Sequence, residues 1–201
     1  AYFIPAAEQL HLVHLIDHRV IQGAIRNCVQ RMMDKRPLSA MFVNFSADFL
    51  RHPELVADIV ATVKQKCEQG GDLVGDIKPL VIEITERQFM ENMAEAKQAL
   101  EPLAEMGLRI AIDDFGGGYS SLKYLAELPV SFIKLEGSLV RRIEYEPRVR
   151  AIVRGIQDLA ADLGVITVAE GIESESTLQL LRQLGIDWGQ GFHFCPPVIV
   201  E

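Results

Sequence analysis

Six short apolar runs, each closing on a polar residue able to do chemistry, constrain this chain more than any other feature. They span residues 41–46, 80–85, 108–113, 132–135, 165–169 and 187–191, and apolar residues recur at helical spacing over 15–33, 53–69, 92–106, 120–128, 148–163 and 174–184. Such alternation predicts a parallel sheet with right-handed crossovers, and the near-continuous apolar strands suit one covered on both faces. An open doubly wound sheet and a closed barrel share this signal, so the strand ends must arbitrate. They are Asn44, Glu83 with Glu86, Asp113 with Asp114, Lys134, Glu170 and Gln190. A barrel rings one mouth with the C-terminal ends of its strands, whereas an open sheet concentrates function at one crevice. Chemistry at every end favours an α/β fold of the (β/α)8 TIM-like type. Such barrels normally have eight strands and about 250 residues. Six strands in 201 residues lead us to expect that two are lacking.

Composition narrows the function. A chain that is 49% apolar can bury a core of one domain. Cys28, Cys67 and Cys195 are odd in number and lack C-x-x-C spacing, which disfavours disulfides and zinc and suggests a reducing cytosol. A net charge of −8 argues against DNA or RNA polymers, whose affinity comes from neutralised phosphates. No apolar run approaches the roughly 18 residues of a membrane span, and no signal peptide opens the chain. The expected location is cytoplasmic, with a membrane anchor possible only elsewhere in a parent protein.

The stretch Asp113-Asp114-Phe115-Gly116-Gly117-Gly118 is poor fold glue, because adjacent carboxylates repel and glycine loses most entropy on ordering. A capping role would explain one of the acids and not both. If Glu83, Asp113, Asp114 and Glu170 converge with Asn44, each carboxylate pair about 4 Å apart repels by about 4 kcal/mol at an effective dielectric near 20. Hard divalent ions suit such oxygen ligands, and an adjacent Asp pair can serve two of them in phosphoester cleavage. Lys134, between Ile133 and Leu135, is either a buried ion-pair partner or a group that balances transition-state charge. Glu86 is either a helix cap or part of the site. Of Glu170 and Glu173, which flank Gly171, the one nearer the strand is the better catalytic candidate. Gly116 and Gly117 read as a turn beside the metals, without a nucleotide-triphosphate motif. His11, His14 and His18 read as a solvated or partner-facing surface. An enolate-forming barrel with Lys134 as base fits the bare spacing as well.

The motifs Phe3-Ile4-Pro5 with Ala7-Glu8, Val43-Asn44-Phe45-Ser46, Glu83-Ile84-Thr85-Glu86, Asp113-Asp114-Phe115-Gly116, Ile133-Lys134, Ala169-Glu170-Gly171-Ile172-Glu173 and Gln190-Gly191-Phe192 together resemble, in order, the EAL domain of bacterial cyclic di-GMP phosphodiesterases. The resemblance spans nearly the whole chain. It implies a modified (β/α)8 barrel that uses Mg²⁺ or Mn²⁺ to hydrolyse cyclic di-GMP to linear pGpG. Asn44, Glu83 and Asp113 would then bind one metal, Asp113 and Asp114 the second, and Lys134 with Glu170 would position or activate water. Gln190 would complete the polar floor, with Glu173, Gly116 and Gly117 in support. Glu86 would anchor the loop starting at Phe115, which in this family couples to homodimerisation.

Two departures stand out. The Glu-Ala-Leu strand and the ligand-holding Arg that open the family do not precede Phe3, and Glu136 stands where the family usually has Asp. The resemblance thus implies an EAL domain over residues 1–201, lacking its first two strands and so incomplete at its N-terminus, from a multidomain signalling protein with sensory or GGDEF-type domains. Turnover by this piece alone is expected to be poor. A degenerate cyclic di-GMP receptor without turnover is the alternative, and a ligand-free interaction module the third.

Overall fold

A computed structural model describes residues 3–35, 40–69, 79–91, 93–117 and 123–198. Gly118 and the predicted helix starts at Asn92 and Ser120 lie outside the described residues. The strands form one sheet whose spatial order follows chain order, and the chain divides into two compact units. A strand order that follows chain order is that of a winding barrel sheet; a doubly wound sheet reverses direction at a switch point.

The first unit comprises residues 1–110 with 123–129. It holds α1 (Ile4–Gln9), α2 (Val13–Met33), β1 (Met41–Asn44), α3 (Ala47–Leu50), α4 (Pro53–Gln69), β2 (Leu80–Thr85), α5 (Glu86–Glu91), α6 (Met93–Glu105), the start of β3 (Arg109–Phe115) and α7 (Lys123–Glu127). β1 and β2 pair in parallel, with Asn44 opposite Glu83. The pairing runs on through the hydrogen bond from Phe45 N to Glu83 O at 2.8 Å. Ile21, Ile25 and Cys28, which recur along one face of α2, are buried, as are Phe45, Phe49, Ile59 and Val63. Each large apolar side chain so buried contributes about 1.5–3 kcal/mol.

The second unit comprises residues 111–122 with 130–201. It holds the rest of β3, then β4 (Val130–Leu135), α8 (Gly137–Arg142), α9 (Pro147–Leu163), β5 (Ile166–Ala169), α10 (Glu175–Gln183) and β6 (Trp188–Gly189). β4, β5 and β6 pair in parallel, Leu135 opposite Ala169 and Ala169 opposite Gly189. α9 starts at Pro147, whose fixed φ suits a first helical turn, and stops at Gly164, which takes the left-handed conformation at φ 68°. Its buried stripe Val149, Val153, Ile156, Ala160 gives the helix its apolar face, and the helix packs on β5. Buried Thr167 ties the start of β5 to the segment before β6. Its N and Oγ1 donate to Asp187 Oδ2 at 2.8 and 2.9 Å.

The long helices and the strands fall where the periodicity predicts. Four short helices, α1, α3, α5 and α8, do not emerge from it, since none exceeds six residues and so few turns carry little periodic signal. Their caps are the legible part. Ser46, predicted as the end of a strand, instead accepts from Phe49 N at 3.1 Å and caps α3. Thr85 and Gln88 form a reciprocal capping box, Gln88 N to Thr85 Oγ1 at 3.3 Å and Thr85 N to Gln88 Oε1 at 3.2 Å. Thr85 therefore does the capping in place of Glu86. Among the described residues, no helix is long and apolar enough to cross a membrane.

Candidate active site

In the second unit, β3, β4, β5 and the segment after β6 bring four predicted side chains into contact. Lys134 ends β4 on its buried side, and its ammonium lies 3.1 Å from Asp113 Oδ1 and 2.6 Å from Glu170 Oε1. Gln190 Nε2 donates to the same Glu170 oxygen at 2.7 Å. Gln190 is itself fixed by the main chain, its N–H donating to Ala169 O at 2.8 Å and its carbonyl accepting from Ile172 N at 3.0 Å. One carboxylate oxygen from each of Asp113, Asp114 and Glu170 lies within 4.8 Å of the others.

The site is electrostatically strained toward negative charge. Burial pushes the Glu170 carboxyl above its ordinary range; the Lys134 hydrogen bond and charge pull it back, and Asp113 and Asp114 push it further up. Asp114 is likewise raised, first by burial, then by Asp113 and Glu136, with Lys134 opposing. A single lysine thus only partly compensates these acids. Oxygen is the sole donor type in the cluster, which fits Mg²⁺ or Mn²⁺ and not the His and Cys preference of zinc. The residues present therefore fit a hard divalent cation.

The turn after β3 explains the glycines. Asp114 has φ +55°, a conformation that costs non-glycine residues energy and recurs at functional sites. Gly116 follows at φ +94°, and a Cβ there would lie 2.6 Å from Leu139 Cδ1. At Gly117 an added Cβ would stand 3.3 Å from both Asp114 O and Glu136 Oε2. Glu136 thereby joins the site's surroundings as a repulsive neighbour of Asp114. Its sequence signal was its position two residues beyond Lys134. Glu173 is exposed on the segment between β5 and α10.

In the first unit the register places Asn44 beside Glu83 at the C-terminal ends of β1 and β2. Asn44 is exposed, whereas Glu83 and Glu86 are buried carboxylates, 4% and 2% exposed. Burying a carboxylate costs folding energy, so these two acids are unlike ordinary surface charge.

A parallel sheet wound in chain order, with a lysine drawing acids together at its strand ends, defines a β/α-barrel type of enzyme site. The chain belongs to the EAL domain family, whose model matches residues 1–197. It is 31% identical over 201 residues to the cyclic di-GMP phosphodiesterase PA2567 of Pseudomonas aeruginosa, covering 100% of this chain and 33% of that protein. The chain therefore spans about a third of the length of that curated relative. Among solved structures it is similar to the PaMucR phosphodiesterase in complex with c-di-GMP, with a TM-score of 0.83 and 32% identity over 98% of this chain and 77% of that one. It is also similar to Klebsiella pneumoniae BlrP1 in a manganese and cyclic di-GMP complex, with a TM-score of 0.74 and 28% identity over 90% of this chain and 44% of that one.

Proposed function

We propose that this domain hydrolyses cyclic di-GMP to linear pGpG with the help of Mg²⁺ or Mn²⁺. The observation that carries the reading is Lys134, held within 3.1 Å of Asp113 and 2.6 Å of Glu170, with Asp114 completing a cluster of oxygen donors. Family membership and the similarity to phosphodiesterases described with c-di-GMP support the choice of substrate. In this reading Asp113 and Asp114 hold the cations. Such a cation, when bound, supplies Lewis acidity toward a phosphoryl oxygen.

The chain's own residues do the rest. Glu170, whose raised pKa makes it a better proton acceptor than an ordinary carboxylate, takes a proton from the attacking water. The water oxygen bonds to phosphorus, the P–O3′ bond breaks, and the departing O3′ takes up a proton from solvent, leaving a 5′-phosphate and a free 3′-hydroxyl. Gln190 fixes the Glu170 carboxylate, and Lys134 holds Glu170 and Asp113 in register while offsetting charge that builds on the phosphoryl group. Gly116 and Gly117 let the chain turn sharply beside Asp114, and Glu86 and Glu173 support the loops around the site. The proposed setting is a homodimer within a larger protein that carries sensory or GGDEF-type domains, on the cytoplasmic side.

Replacing Glu170 by Gln tests the assignment. It should lower the rate of pGpG formation by about 10²–10⁴-fold, the usual contribution of a positioned acid or base. Binding of cyclic di-GMP should persist. An unchanged rate in Glu170→Gln overturns the role given to this residue.

A further inference from the structure

The first unit carries a second cluster of metal-ligating side chains, which the hydrolytic site does not use. His14 stands in the first turn of α2, Asp48 in α3, and His52 in the tight connection that enters α4 at Pro53. The two imidazole rings stack with centroids 4.0 Å apart and planes at 26°. His14 Nδ1 lies 2.7 Å from Asp48 Oδ2, and His52 Nδ1 lies 2.8 Å from Glu54 Oε1. One ligand atom from each of His14, Asp48 and His52 lies within 4.8 Å of the other two.

Each ring therefore presents one nitrogen to a carboxylate. Glu54 at His52 Nδ1 holds the proton there, which leaves Nε2 as a lone-pair donor, the way metal-bound histidines are usually oriented, while His14 Nδ1 and Asp48 Oδ2, 2.7 Å apart, face each other at the spacing of two ligands on one cation. The rings stand on packed helices and not on a free loop. Ser46 N donates to Asp17 Oδ2 at 2.9 Å, and Gln22 Nε2 donates to Asp58 Oδ2 at 2.9 Å and to Thr62 Oγ1 at 3.0 Å, which fastens α2 to the segments bearing Asp48 and His52.

We propose that His14, Asp48 and His52 form a binding site for a borderline divalent cation, Zn²⁺ foremost, with Glu54 orienting His52. Mixed imidazole and carboxylate donors suit zinc, in contrast to the oxygen-only cluster of Asp113, Asp114 and Glu170. A cation here clamps the start of α2 to the corner between α3 and α4.

The test is a titration of the protein with Co²⁺, a spectroscopic stand-in for Zn²⁺, in excess Mg²⁺ to occupy oxygen-only sites. The expected result is the visible absorption of imidazole-bound Co²⁺, displaced by Zn²⁺ and lost in His52→Ala. Glu54→Gln, at an exposed position, should weaken binding by about 10- to 100-fold while leaving the fold intact. Asp113→Asn should leave the signal unchanged. Absence of the signal in the unaltered protein, its survival at full affinity in both His52→Ala and Glu54→Gln, or its loss in Asp113→Asn overturns the proposal.

Discussion

Replacing Lys134 by Met removes the ammonium that bridges Asp113 and Glu170 and keeps the side chain's bulk. The lysine side chain is only 5% exposed, with its carboxylate partners at 3.1 and 2.6 Å. Removing one member of a buried ion pair costs about 3–5 kcal/mol, because the remaining charge stays in low dielectric without a counter-ion. Asp113 and Glu170 retain 15% and 20% exposure, so water recovers part of this loss. We expect about 3 kcal/mol at about pH 8, in metal-free buffer. The penalty must depend on pH in a defined direction. Glu170 and Asp114 titrate above their ordinary values of 4.5 and 3.8 in the folded protein. Where the folded pKa is the higher one, the native state binds more protons, and stability falls as pH rises through the interval. Loss of Lys134 takes away the influence that holds the Glu170 carboxyl down, widening that interval. The penalty should therefore shrink at about pH 5, where the carboxyls can protonate. Urea unfolding of both proteins at the two pH values, with chelator present, measures it. A penalty that is equal at both, or larger in acid, refutes the electrostatic account of the cluster.

Asp114→Asn removes a carboxylate raised by burial and by repulsion from Asp113 and Glu136. Solvent screens this exposed side chain, so the metal-free stability should stay level or rise slightly near neutral pH, while the melting shift expected from Mn²⁺ in the unaltered protein should be abolished; thermal melts with and without Mn²⁺ check both. Gly116→Ala combines φ +94° with a Cβ 2.6 Å from Leu139 Cδ1, so denaturant titration should show a loss of about 1–3 kcal/mol. Thr167→Val leaves Asp187 and Gln157 without the buried hydroxyl they share; a loss of about 1–3 kcal/mol is expected by the same measurement.

The sheet and the grouping of Asp113, Lys134, Glu170 and Gln190 were legible because each rests on short-range patterns. An apolar run such as Val81-Ile82 interrupted by Glu83, or Ile133-Lys134-Leu135, announces both a buried strand and a charge that needs a reason to be there. Strand ends converge by topology, so Asp113, Lys134, Glu170 and Gln190 could be grouped before their distances were known. The alternation could not show where the turn-long helices lie, and only Ser46 and the Thr85-Gln88 pair marked two of their starts. Nor could it separate Glu86 as a cap from Glu86 as a buried acid. The histidines illustrate the same limit. His14 and His18 look like one exposed surface in the sequence, yet His14 stacks on His52 and His18 pairs with Asp58, partners that lie beyond β1 in the chain. Periodicity carries no information about contacts of that range.

The central claim is that the acids gathered by Lys134 serve water's attack on a cyclic dinucleotide. Incubating the protein, in excess over cyclic di-GMP so that slow turnover is counted, with Mn²⁺ in ¹⁸O-labelled water tests it most directly. The account predicts linear pGpG with the label in its 5′-phosphate, and no product in chelator. Recovery of intact cyclic di-GMP bound to the protein in the presence of Mn²⁺ contradicts it and identifies a receptor.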